Sequence, residues 1–151
     1  MMKTLSKAEV KKLRDELWAI YKVDLFKKGD IIQLNTDTKS ILVNKELYFF
    51  SYEDRYVPTL KLLQKINFLK KVTVDMGAVK FVVDGADIMR PGIVDVEEFN
   101  ADDFVSVVDV NNKKPLAVGI ALFNSKEIEA YKTGRVIKNI HYVGDEIWSN
   151  P

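Results

Sequence analysis

The chain contains no cysteine and a single histidine, His141, among its 151 residues. The first absence removes disulfides, cysteine-zinc sites and thiol nucleophiles together. The second leaves any metal site to be built almost wholly from carboxylates, so neither metal nor cofactor is expected. A reducing cytoplasm is the natural setting. No run of about eighteen apolar residues occurs. The first thirty residues are charge-rich with a helical pattern, not a basic tip followed by an apolar stretch, so neither membrane nor secretion is expected. The P-loop, the dinucleotide-binding GxGxxG and the nucleophile elbow GxSxG are all missing. Adjacent acids at Glu53-Asp54, Glu97-Glu98 and Asp102-Asp103 would point in different directions on strands and read as solvated loops. His141 sits between Ile140 and Tyr142 on a presumed closing strand without an evident orienting partner, which makes it a structural or ligand-facing residue, not a general base. Catalysis is not expected.

What is present is ordinary globular material, 47% hydrophobic and 30% charged, enough for one medium domain or two small ones. The net charge of +1 conceals a division. Residues 1–71 hold 15 Lys and Arg against 9 Asp and Glu, whereas residues 72–151 hold 8 against 13. An N-terminal half at +6 beside a C-terminal half at −5 suggests a polyanion-facing first unit and a two-domain chain. Ser6 and Glu9 form a capping box, and Val10, Leu13, Leu17 and Ile20 or Tyr21 follow at helical spacing, predicting an amphipathic helix with one buried stripe. After a turn at Lys28, Gly29 and Asp30, strands are expected over 31–34, 40–44 and 46–51, then a helix over 59–67 introduced by Pro58. Leu47 to Phe50 would alternate between faces as a strand, which assigns most of these rings to the core and not to stacking on bases.

From Val72 the texture becomes β-rich and punctuated by glycine. Strands over 72–74, 93–96, 104–110, 116–122 and 135–142 predict a small, strongly bent sheet. Two short helices interrupt it, over 77–83 and over 125–132, the second with Ser125 as cap and Gly134 just past its end. Gly77-Ala78 and Gly85-Ala86 mark two corners with little or no side chain, where backbone comes close to a partner. Pro91-Gly92 reads as a turn. The fold class is thus an α+β N-terminal domain over 1–71 followed by a β-rich domain over 72–151, a small pseudo-barrel with two short helices.

The segment VTVDMGAVKFVVDGADIMRPGIV, residues 72–94, resembles the PUA domain, and the likeness runs on through Asp102-Asp103, Ala117-Val118-Gly119 and Gly134. With the closing KNIHYVGDEIW, residues 138–148, it is similar to the translation-machinery branch that contains the malignant T-cell-amplified protein, yeast translation machinery-associated protein 20 and ligatin. The chain looks like the short archaeal-type version, without the further modules of ligatin. The resemblance implies a non-catalytic RNA-binding protein with tRNA or rRNA and the small ribosomal subunit as partners, a partner protein in some members, and no DNA. It places Lys80 on the first PUA helix, Gly85, Ala86, Asp87, Arg90 and Gly92 along the following strand and turn, and Arg135 and Lys138 on the closing strand, all beside an RNA groove. Arg90, Arg135, Lys80 and Lys138 would meet phosphates and backbone near Gly85 would read a base edge or terminal ribose. Lys11, Lys12, Lys27 and Lys28 of the positive half would dock on the ribosome. Two other roles remain open at this point: an accessory to tRNA or rRNA modification, and a protein-docking module using Trp148 or the Tyr48 to Phe50 cluster.

Overall fold

The computed structural model describes residues 1–149, and the last two residues of the expected second domain lie outside them. Helix α1 (Lys7–Tyr21) starts at the Ser6–Glu9 box, with both reciprocal hydrogen bonds formed. Strands β1 (Met2–Thr4), β2 (Ile32–Asn35), β3 (Ser40–Val43), β4 (Glu46–Tyr52) and β5 (Arg55–Pro58) form one antiparallel sheet in sequential order. β1 and β5 are its edges and were not expected. β1 is wholly exposed and carries no alternation, whereas β5 ends in Pro58, which is tolerated because an edge strand has no second neighbour to donate to. α1 lays Leu13 and Leu17 on one face of this sheet, against Ile32, Ile41, Val43 and Phe49.

The opposite face is buried as well. Phe49 is fully buried under α1, while Phe50 enters a second core with Val57, with Leu60 and Leu63 of α2 (Leu60–Lys65), and with Phe104 and Val118 from the second half. Strand alternation therefore sends two adjacent rings into two different cores, and the two halves of the chain pack on one of them. The ring of Tyr48 is half-buried beneath Lys65, which leaves little of this cluster free to stack on bases.

The second half is a mixed six-stranded sheet in the order β7-β11-β10-β9-β6-β8. Its strands are β6 (Lys70–Val74), β7 (Ile88–Met89), β8 (Ile93–Val96), β9 (Phe104–Asp109), β10 (Pro115–Ala121) and β11 (Arg135–Tyr142). β6 and β9 run parallel and every other pair is antiparallel. Register shifts at Thr73/Val74, Pro115/Ala117, Val118/Gly119 and Arg135/Ile137 increase local twist and curl the sheet into a half-barrel. Its interior holds Val72, Val74, Val105, Val107, Ala117 and Ile137, closed by Val82 of α3 (Met76–Val82) and Ile128 of α4 (Ser125–Ala130). A third helix, α5 (Glu146–Ser149), adds to the two expected here.

Two caps differ from the reading by sequence. α4 is capped by Asn124, which shares a capping box with Glu127. Ser125 instead accepts from the Phe99 N–H and donates to the Phe99 carbonyl, holding the helix to the loop before β9. Gly134 does not end α4, since Tyr131 follows it in extended conformation. Its positive φ of 100° serves the turn into β11, where its carbonyl accepts from the Arg90 N–H.

His141 joins the two halves. It is fully buried, and its Nε2 accepts from the Leu60 N–H at the start of α2, 3.0 Å away. Nδ1 must then carry the proton and donate to Asp145 at 2.8 Å. Burial lowers the pKa of this imidazole despite the carboxylate beside it. The histidine is structural.

Candidate nucleic-acid interface

α3 begins at Asp75, whose side chain accepts from the Ala78 N–H at 2.9 Å. Together with residues 86–92 it encloses a groove of about 430 Å³. Ala78, Phe81 and Val82 form one wall, and Ala86, Ile88, Met89 and Pro91 the other, so the lining is mainly apolar. Phe81 is 58% exposed and Met89 50% exposed, leaving an aromatic face and a thioether open at the mouth. Among the described residues Asp75 and Asp87 are the charged ones lining the groove, and no lysine or arginine lines it.

The small residues act differently from one another. Gly85 has φ +92°, and a Cβ there would lie 2.9 Å from the Tyr142 ring, so both conformation and space require glycine. Gly92 lies against Ala78, with 3.0 Å between a built Cβ and the Ala78 methyl; this contact sets the width of one end of the groove. At Gly77 a side chain would meet only ordinary contact with Asp75. Gly77 is not needed for close approach, contrary to the expectation for that corner.

The expected cations surround the groove without converging in it. Arg90 turns away, its guanidinium donating to the carbonyls of Ile128, Ile93 and Glu129. Those bonds tie the turn at residues 90–92 to the end of α4 and take up three of the five N–H donors of the guanidinium. Lys80 is exposed on α3, its ammonium 5.0 Å from the centre of the Phe81 ring. Arg135 bonds Asp87 at 3.0 Å with its side chain still 56% exposed, and Lys138 donates to the Tyr52 hydroxyl at 2.8 Å. That hydrogen bond raises the Lys138 pKa and crosses from the second half of the chain to the first.

Asp87 acquires a clear role. One carboxylate oxygen accepts from the Asn139 N–H and the other from Arg135. The Asn139 side-chain amide donates to the carbonyls of Val82 and Ala86. Asp87 and Asn139 thus clamp the 82–87 turn to β11, and the Arg135 guanidinium balances the Asp87 charge. Ala86, Asp87 and Gly92 line the groove; Gly85 precedes Ala86 in the same turn, Lys80 stands beside Phe81 and Arg135 reaches the groove through Asp87, whereas the Arg90 and Lys138 head groups are held elsewhere. The sequence reading missed Asn139, Tyr52 and Phe81. Phe81 had a signal, being an aromatic residue beside the polar Lys80 on a short helix whose inward position is Val82. The docking lysines Lys11, Lys12, Lys27 and Lys28 are all exposed on α1 and the turn after it, with Lys11 3.4 Å from Asp15.

A half-barrel of this topology with a groove beside its first helix defines a PUA domain, and the PUA domain model matches residues 70–143. A second model, "Domain of unknown function (DUF1947)", matches residues 3–66. The chain is 49% identical to an uncharacterized protein of Methanocaldococcus jannaschii, covering 96% of this chain and 93% of that one. It is 32% identical to translation machinery-associated protein 20 of Schizosaccharomyces pombe, covering 81% and 72%. Among solved structures, a hypothetical protein of Pyrococcus horikoshii superposes with TM-score 0.83 at 32% identity, covering 99% and 98%. The chain belongs to the PUA-domain family that includes translation machinery-associated protein 20 and malignant T-cell-amplified sequence 1.

Proposed function

We propose that this protein binds single-stranded RNA without catalysing a reaction on it, and does so in translation, on the small ribosomal subunit and at the 3′ end of tRNA. The observation that carries the reading is the exposed Phe81 at the mouth of an apolar groove lined by Ala78, Ala86 and Gly92, in a chain of this family. An unpaired base stacks on Phe81, and the ribose and base edge meet backbone near Gly85. Phosphates stay outside, on Lys80 and Arg135. The residues 1–71 and 72–151 act as two domains with separate tasks: the lysines of α1 and its following turn dock on ribosomal RNA through charge, while the groove selects the RNA end.

Stacking on an aromatic side chain contributes about 1–3 kcal/mol per base. Phe81→Ala is therefore expected to weaken binding of a short single-stranded RNA by roughly tenfold or more, with little change in salt dependence. Fluorescence anisotropy across a salt series measures both. An unchanged affinity would remove the groove from RNA recognition.

The same lining favours a second reading, in which the groove takes an apolar segment of a partner protein. Among the described residues no cation lines it, and protein docking of that kind would tolerate salt that dissociates RNA.

A further inference from the structure

A cleft of about 270 Å³ lies where the two halves meet, away from the α3 groove. Lys22, Arg55 and Lys70 line it with a single carboxylate, Asp103. These cations come from three separate places in the chain: the end of α1, the start of β5 and the start of β6. Among the described residues none of the three forms an ion pair.

The cleft is organised before any ligand arrives. The Arg55 guanidinium lies 3.9 Å from the centre of the Phe104 ring and donates one N–H to the Asp102 carbonyl at 2.9 Å. That arrangement fixes the fork, and among the described residues its other donors have no partner. Lys22 caps α1 in a left-handed conformation, φ 57°, its N–H donating to the Trp18 carbonyl. Glycine suits such a cap better, so the lysine side chain brings a cation to this spot at some conformational expense. Ile20, 55% exposed, and Phe68 give the cleft an apolar wall. Opposing an anion are Asp103, which already accepts from the Asn100 N–H, and the carbonyl end of α1.

We propose that this cleft holds a phosphodiester of bound RNA, a second RNA contact that spans the junction of the two domains. A guanidinium fork with two ammonium groups matches a phosphate, and the apolar wall accommodates the adjoining ribose or base. The inference rests on the RNA-binding reading above.

The test uses anisotropy of a fluorescein-labelled, twelve-nucleotide oligouridylate with the full chain carrying Lys22→Gly and Lys70→Thr. Glycine fits the left-handed cap and threonine suits an exposed strand position, so this variant should melt no lower than the wild type. Arg55 is left intact because it also packs on Phe104. Removing two phosphate contacts should weaken binding roughly tenfold at low salt and flatten the dependence of log K on log salt by about 1.4. Unchanged affinity and slope, with Phe81→Ala still weakening binding, would overturn the cleft assignment while leaving the RNA reading in place. Absence of wild-type binding at low salt would remove both. Inorganic phosphate supplies the remaining arm: if it binds the wild type but not the Lys22→Gly/Lys70→Thr variant while the oligouridylate binds both alike, the cleft is a small-anion site and the RNA assignment fails.

Discussion

Replacing His141 with alanine should destabilise the protein by about 3–5 kcal/mol, the range for deleting a large buried side chain together with a hydrogen bond whose donor is left buried and unpaired. For a chain of this length that corresponds to a fall in Tm of roughly 6–20 °C. The reason is position: His141 takes the Leu60 N–H on one ring nitrogen and gives its proton to Asp145 on the other. It is also packed edge-on against Phe50, ring centres 5.4 Å apart. A calorimetric scan that places the variant within a degree or two of the wild type would mean the junction is not held this way.

The same residue predicts a pH dependence. Its pKa is lowered in the folded protein, so the unfolded chain takes up the proton more readily. Linkage then gives stability that is fully present above about pH 6.5 and is lost as pH falls through the folded-state value. Protonation would set an Nε2–H against the Leu60 N–H, two donors facing each other. Because this is the chain's one histidine, the slope that sets in below about pH 6.5 should be lost in His141→Ala. Glu9, held at about 2 by Lys3 and the helix cap, titrates well below it.

A second large effect is expected at Gly119. A Cβ built there would lie 2.3 Å from Ile137 Cγ2 and 3.0 Å from the Lys138 carbonyl oxygen. Ile137 is β-branched and fully buried, so it has no room to swing aside. The glycine sits at the register shift between β10 and β11, and that bulge helps aim β11 so that Lys138 reaches Tyr52 and Asn139 reaches the groove. Gly119→Val should cost about 3 kcal/mol or more through overpacking, read as a lowered urea midpoint. It should also weaken RNA binding under conditions where the protein remains folded, because β11 shifts. A variant as stable as the wild type would show that the strand relaxes freely there.

Local chemistry made parts of this structure legible. The Ser6–Glu9 box is reciprocal within four residues, and Leu13 and Leu17 mark the buried stripe of α1 without help from elsewhere. β9 could be read because a central strand buried on both faces is a near-continuous apolar run. β5 could not, since the hairpin before it turns on Glu53 and Asp54, both at positive φ, where glycine or asparagine would have announced it. The cap of α4 was ambiguous between adjacent Asn124 and Ser125, and the choice depends on where Phe99 lies.

The groove's place was legible through the resemblance of residues 72–94, but the commitments of its charged groups were not. Arg90 is taken by carbonyls 38 and 39 residues away, Asp87 by Asn139, 52 residues away, and Lys138 by Tyr52, 86 residues away. Spacing along the chain holds no record of such partners. A basic count likewise says nothing about direction, and the groove lining is apolar with no cation in it among the described residues.

RNA binding in translation is open to test by co-sedimentation with small ribosomal subunits. The wild type, Phe81→Ala, and a variant carrying Lys11→Glu, Lys12→Glu, Lys27→Glu and Lys28→Glu would be compared across a salt series, with and without deacylated tRNA. Salt-sensitive binding that deacylated tRNA alters, with the lysine variant losing subunit affinity and Phe81→Ala losing the response to tRNA, is the predicted result. Absence of wild-type binding to either subunit or tRNA at low salt, or association unchanged by salt and by both variants, would contradict it.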